Sequence, residues 1–139
     1  VPVCNASQAD HEALRALGAE RIAVVTPFSA EVDQVVKANV EAAGFNVVAI
    51  KGTEAPSLPA ICETPIEKIR EVFHAVADND CDGVLQVGTA LPVVAILESL
   101  ESEIDKPIVA CNAAVYWQAL RAVAINHPIE GYGRLLREH

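Results

Sequence analysis

The stretch Arg21-Ile-Ala-Val-Val-Thr26-Pro27-Phe28-Ser29, with the helical pattern that follows from about Ala30 to Ala43, decides the fold class. Arg21 to Thr26 is a short β-branched and small apolar run stopped by a proline, the profile of a strand buried on both faces, as in a parallel sheet. Ser29 stands where an N-cap belongs. Val32, Val35, Val36 and Val40 mark the apolar face of the helix, and Gly44 ends it.

The same alternation continues along the chain. Phe45 to Ile50 is a second strand running into Lys51-Gly52, and Thr53 to Cys62, with Pro56 and Pro59 and no clear period, reads as an excursion loop. Thr64-Pro65-Ile66-Glu67 is a capping box with proline at the first helical position, so a helix starts there with Ile66, Ile69, Phe73 and Val76 along one face. Gly83 to Val87 is a third strand, leading through Gly88-Thr89-Ala90 into a helix from Leu91 to about Glu101. Pro107 to Ala110 is a fourth strand, and Cys111-Asn112 opens a helix through Val115, Tyr116, Ala119, Leu120 and Val123. Upstream, Ser7 to Leu17 reads as a helix ended by Gly18. Strands separated by helices imply right-handed βαβ crossovers. The expected fold class is therefore α/β, a four-stranded parallel sheet with helices on both faces. One domain spans 1–139, with 1–18 as an opening helix and 128–139 as a C-terminal tail.

Composition narrows the function. The 139 residues carry ten Lys+Arg against nineteen Asp+Glu, a formal charge of −9, and 52% are hydrophobic. Such a balance argues against nucleic acid and anionic membrane surfaces, which need clustered positive charge, while the apolar content is enough to build a core. No apolar run reaches the roughly 18 residues that span a bilayer, and no signal-peptide pattern appears. The four cysteines, Cys4, Cys62, Cys81 and Cys111, form no CxxC pair. Zinc and thioredoxin-like redox sites lose support, no metal is expected, and the setting reads as reduced and cytoplasmic. Val1 is not an initiator methionine, so the chain reads as processed or as cut from something longer.

In a parallel sheet of this kind ligands bind beyond the carboxyl ends of the strands. That rule selects Thr26-Pro27-Phe28-Ser29, Lys51-Gly52, Gly88-Thr89-Ala90 and Cys111-Asn112. The first and third offer hydroxyls and backbone amides at the start of a helix, where amides and the helix dipole favour a carboxylate. Taken singly, Ser29 and Thr89 are equally ordinary helix caps, and their convergence on one rim is what favours a site. GxGxxG and GxxxxGK[ST] are both missing, so dinucleotide and nucleoside-triphosphate sites lack their phosphate cradles. His11, His74, His127 and His139 lie away from strand ends and read as surface residues, and Tyr116 and Trp117 as packing residues. Lys51 reads either as an anion attractor or as a solvated lysine. Cys111, at a helix N-terminus, is the best-placed thiol. A reactive thiolate is physically allowed there, and a buried inert cysteine is the competing reading.

Four segments in matching order then resemble a family. They are Arg21-Ile-Ala-Val-Val-Thr-Pro-Phe28, Gly83-Val-Leu-Gln-Val-Gly-Thr-Ala-Leu91, Pro107-Ile-Val-Ala-Cys-Asn112 with Trp117-Gln-Ala-Leu-Arg121, and Gly131-Tyr-Gly-Arg-Leu-Leu136. Together they resemble the C-terminal half of the maleate cis-trans isomerase and arylmalonate decarboxylase group of the aspartate/glutamate racemase superfamily. The resemblance implies a cofactor-free protein acting on small mono- and dicarboxylic acids. It also implies two similar α/β halves facing each other with the substrate between them, each half contributing a cysteine after its third strand. Backbone amides and hydroxyls would hold the carboxylates and stabilise an enediolate-like intermediate.

Carried over by position, Thr26, Pro27 and Phe28 match a motif that usually reads Thr-Pro-Tyr, so Phe28 lacks a hydroxyl. Gly88 falls where the second catalytic cysteine is expected. Thr89 and Ala90 continue the carboxylate-binding turn, and Asn112 matches a polar residue after the fourth strand. The family's first half is absent from these residues. Two functions compete. One is a cofactor-independent isomerase, decarboxylase or racemase, impaired by the loss at Gly88, with Cys111 or a cysteine from the missing N-terminal half completing it. The other is a non-catalytic carboxylate-binding or truncated assembly domain. Either way the exposed inter-half face predicts a homo-oligomer. A flavodoxin-like or receiver-type domain is a weaker third reading, because Thr26, Gly88 and Asn112 occupy the places a receiver's acidic residues need.

Overall fold

A computed structural model describes residues 3–77 and 80–139 of the chain; Val1 and Pro2, which the opening-helix reading includes, lie outside the described residues. Its four strands, β1 (Arg21–Thr26), β2 (Asn46–Gly52), β3 (Gly83–Gln86) and β4 (Ile108–Ala110), form one parallel sheet in the order β2-β1-β3-β4. Alternate residues of β1 explain why both faces are covered. Ala23 and Val25 pack on one side with Ile69, Val72 and Phe73 of α4 (Ile66–Ala77) and Leu97 and Leu100 of α5 (Leu97–Ile104). Ile22 and Val24 pack on the other with Ala9, Ala13 and Leu14 of α1 (Ala6–Ala16), Val40 of α2 (Ala30–Ala42) and Ala114 of α6 (Cys111–Ala122). The final helix α7 (Arg134–Glu138) sends Leu136 to the first layer and Leu135 to the second. Buried Glu101 ties this tail down, accepting from the backbone N–H of Ile108 at 2.8 Å and of Arg134 at 2.7 Å.

Several local expectations need correction. Only half of the valine stripe forms the apolar face of α2: Val36 and Val40 pack on the core, whereas Val32 and Val35 are 43% and 61% exposed and Asp33 points inward. The Thr26 hydroxyl donates to the Asp33 carboxylate at 2.5 Å, giving the inward aspartate a partner. The excursion loop contains a short helix, α3 (Leu58–Cys62), capped by the Ser57 hydroxyl, which accepts from the Ala60 N–H. The Thr64 hydroxyl does not act in a capping box; it donates back to the carbonyls of Ala60 and Ile61 at the end of α3. The helix expected from Leu91 begins only at Leu97, after a 3₁₀ turn over Val94–Ile96. Pro92 disfavours helical backbone at Leu91 and brings no N–H of its own. Tyr116 is 54% exposed rather than a packing residue, whereas Trp117 packs against both layers.

Candidate functional site

β1 and β3 are neighbours although β2 lies on the far side of β1, so the chain reverses its direction of winding between them. A crevice forms at such a point, outside the carboxyl ends of the two strands. At the end of β1, buried Thr26 accepts the Phe28 N–H at 3.1 Å while donating to Asp33. The following loop is stitched on by Thr53 N–H to the Thr26 carbonyl (2.9 Å) and Ala55 N–H to the Pro27 carbonyl (3.1 Å). Gly52 is needed here, since a Cβ on it would stand 2.1 Å from the Phe28 carbonyl oxygen.

At the end of β3, the Val87 N–H donates to the Val25 carbonyl at 2.9 Å. The buried Gln86 amide donates to the carbonyls of Val87 and Gly88, both at 2.8 Å. Asn112 donates from its side chain to the Thr89 carbonyl at 2.9 Å. These bonds occupy the carbonyls of the 87–89 turn. Gly88 has φ +102°, and a Cβ there would lie 2.7 Å from Cγ and Cδ of Pro27. This position is built for a residue without a side chain.

Between the two strand ends lies an open cleft of about 320 Å³, lined by Pro27, Phe28, Val87, Gly88, Thr89, Ala90 and Cys111, with Ala6, Ser7 and Asp10 of α1 and Leu58 and Ile61 of α3. Three residues picked from sequence do not line it. Thr26 is fully buried, Ser29 is exposed and its side chain makes no cap bond, and Asn112 faces a neighbouring groove while gripping the Thr89 carbonyl. Thr89 sits on a turn and not at a helix N-terminus, because no helix forms before Val94. Lys51 and the four histidines are also outside the lining; His74 instead lies 3.1 Å from Glu103. The described residues hold no cluster of three or more His, Cys, Asp or Glu suited to a metal ion. None of their helices is long and apolar enough to cross a membrane.

The cleft's two titratable groups are both pushed upward. Burial raises the Cys111 thiol to about 11, the charge of Asp10 adds to the rise, and a hydrogen bond from the Gly88 N–H only partly offsets it. The helix N-terminus that would favour a thiolate is outweighed, and Cys111 is a neutral S–H at neutral pH. Asp10 is 5% exposed, its Oδ1 has no hydrogen-bond partner, and burial lifts its carboxyl from 3.8 to about 7. With no Lys or Arg in the lining, the donors available to an anion are backbone amides, the Ser7 and Thr89 hydroxyls and whatever proton Asp10 carries.

Sequence reasoning passed over Asp10, Gln86 and Asp33. A signal existed for each. Asp10 lies three and four positions before Ala13 and Leu14 on the inward stripe of α1, and Gln86 interrupts an apolar strand. Asp33 is different: the valines beside it draw the eye to the wrong face.

The chain matches the arylmalonate decarboxylase family over residues 1–136. It is 28% identical to the maleate isomerase of Nocardia farcinica over 91% of this chain and 51% of that protein. It is 27% identical to the arylmalonate decarboxylase of Bordetella bronchiseptica over 99% of this chain and 59% of that one. Two solved forms of the Nocardia farcinica maleate cis-trans isomerase resemble it closely. One is bound to Tris, and the other is a cysteine-to-serine mutant with a covalently bound succinylcysteine intermediate. Each superimposes with a TM-score of 0.91 at 27% identity, covering 96% of this chain and 55% of theirs. The chain thus spans about half the length of the curated relatives it matches. A parallel sheet wound about the β1/β3 crevice and a family match over almost every residue lead to one conclusion: this chain belongs to the arylmalonate decarboxylase family.

Proposed function

We propose that this chain forms the carboxylate-holding half of a cofactor-independent site for small mono- and dicarboxylic acids, closed by a second α/β half. The observation that carries this reading is the cleft at the β1/β3 switch point, where Pro27, Phe28, Gly88, Thr89, Ala90 and Cys111 converge. The Thr89 hydroxyl and the turn's amides would hold a carboxylate. The Phe28 ring supplies an apolar wall in place of a tyrosine hydroxyl. Cys111, held as S–H, would act as a proton donor rather than a nucleophile. Gly88 offers no thiol, so turnover by the two-cysteine route is impaired in this half.

The closing half is a second copy or an N-terminal half not included in these residues. Leu58, 66% exposed at the cleft's edge, would be covered by such a partner. Four unpaired cysteines support a reduced, cytoplasmic setting. The non-catalytic alternative draws its support from Gly88, whose positive φ and tight contact with Pro27 suit binding but supply no proton.

Melting temperature measured with malonate, maleate and aspartate tests the binding reading. An upward shift with at least one of them, absent with an uncharged analogue, is expected, and no shift with any would sink it. Incorporation of solvent deuterium into a bound ligand then separates catalysis from binding. Sedimentation of a clean monomer would remove the second-copy arrangement.

A further inference from the structure

Asp10 is the one buried side chain in the cleft with an oxygen left unbonded. Its Oδ1 is buried without a hydrogen-bond donor, and no lysine or arginine lines the cleft that Asp10 borders. A buried carboxylate in that position would repel any anion entering the cleft, and the chain's own charge of −9 offers no relief. A buried carboxylic acid would do the reverse, because its O–H adds a hydrogen-bond donor to the lining that Asp10 shares with Gly88 and Thr89.

We propose that Asp10 is a second proton-carrying group of this cleft, beside the Cys111 thiol, and the one whose proton accompanies ligand binding. In its neutral form its carboxyl donates a hydrogen bond to an oxygen of a small carboxylate seated against Gly88 and Thr89, so the anion binds together with one proton. This rests on the reading of the cleft as a carboxylate site. It assigns to an aspartate on α1 the proton inventory that Gly88 cannot hold.

The surroundings support it. Burial brings Asp10 to half-protonation at about pH 7, so the proton is available at little cost near neutrality. The groups facing it from the neighbouring elements are few. From α6 it meets the Cys111 thiol, which stays protonated. On α1 itself, His11 shares a small hollow with it, and burial and Arg15 hold that imidazole down, hence neutral at and above neutral pH. From α2 and β3 the hollow receives Val36, Asn39, Val40, Leu85 and Val87, none of them ionisable.

Isothermal titration with malonate, whose own carboxyls stay ionised between about pH 7 and about pH 8.5, decides the matter. Running it in two buffers of unlike ionisation enthalpy counts the protons taken up. The expected result at about pH 8 is close to one proton per malonate, with affinity falling about tenfold for each further pH unit. In Asp10→Asn the side-chain amide donates at every pH, so affinity becomes flat with pH and proton uptake disappears. Malonate binding by the unaltered protein without proton uptake overturns the proposal, as does uptake that survives in Asp10→Asn. Absence of heat at every pH overturns the carboxylate reading of the cleft itself, which separates the two failures.

Discussion

Replacing Gly88 by alanine tests whether the turn after β3 is committed to glycine. Two costs follow from its geometry. With φ at +102°, a side chain enters backbone space that L-residues rarely occupy, worth about 1–3 kcal/mol. The added Cβ also meets Cγ and Cδ of Pro27 at 2.7 Å, and forcing an extra carbon into packed surroundings costs about 1–3 kcal/mol more. Pro27 cannot swing aside easily, because its ring is fixed to the backbone and its carbonyl is held by the Ala55 N–H at 3.1 Å. A loss of about 3 kcal/mol is expected. In urea, at a fixed protein concentration, this lowers the midpoint by about 1.5 M if the slope is about 2 kcal/mol/M. Pro27→Ala removes Cγ and Cδ. The double variant should therefore recover about 1–2 kcal/mol of the loss as a coupling energy, while the φ strain remains. Gly88→Cys should be destabilised at least as much, so restoring the absent thiol carries the same strain. Unfolding of Gly88→Ala within about 0.5 kcal/mol of the parent, or no coupling to Pro27→Ala, would show that the turn is not committed to glycine.

Two further predictions concern the cleft's titratable groups. The carboxyl of Asp10 is raised from 3.8 to about 7, so the folded chain binds the extra proton and stability falls as pH rises between those values. The deficit is complete above about pH 7 and amounts to about 4 kcal/mol relative to acid solution. Asp10→Asn should therefore gain stability over the parent as pH climbs from about 4 to about 8, whereas parallel denaturation curves would refute the shift. A Cys111 thiol at about 11 leaves about one molecule in a thousand as thiolate at about pH 8. Iodoacetamide followed by mass spectrometry should label exposed Cys62 in the native protein and reach Cys111 only on unfolding. Equal labelling of the two would contradict the burial assigned to Cys111.

The strands and their parallel arrangement are legible in the sequence because burial on both faces leaves a signature in every residue of a strand: Ile22 to Val25 have no polar face to show. The rim is legible for a related reason. Once the strand ends are known, topology places Pro27, Phe28, Gly88, Thr89 and Cys111 at one edge of the sheet. What periodicity misreads is the orientation of marginal elements. Val32 and Val35 look like part of a core stripe, yet α2 turns them outward and buries Asp33, whose carboxylate accepts from Thr26 on a different element. The helix expected from Leu91 shows the same weakness, since Pro92 outweighs an apolar pattern that by itself reads as helical.

By itself, then, the order of residues determined that a parallel α/β sheet forms, that its carboxyl edge carries the candidate site, and that residue 88 bears no thiol. These follow from side-chain type and period, together with the connectivity that the alternation of strands and helices implies. Only the tertiary structure decided that Pro27 closes the space a side chain at Gly88 would need, that Cys111 is held as a neutral thiol, and that Asp10 reaches the cleft from the opening helix with one oxygen unbonded. Each of these depends on how much water and which dipoles surround a group once distant segments have packed together. Desolvation and close contact are properties of the assembled surroundings, and no single stretch of chain contains them.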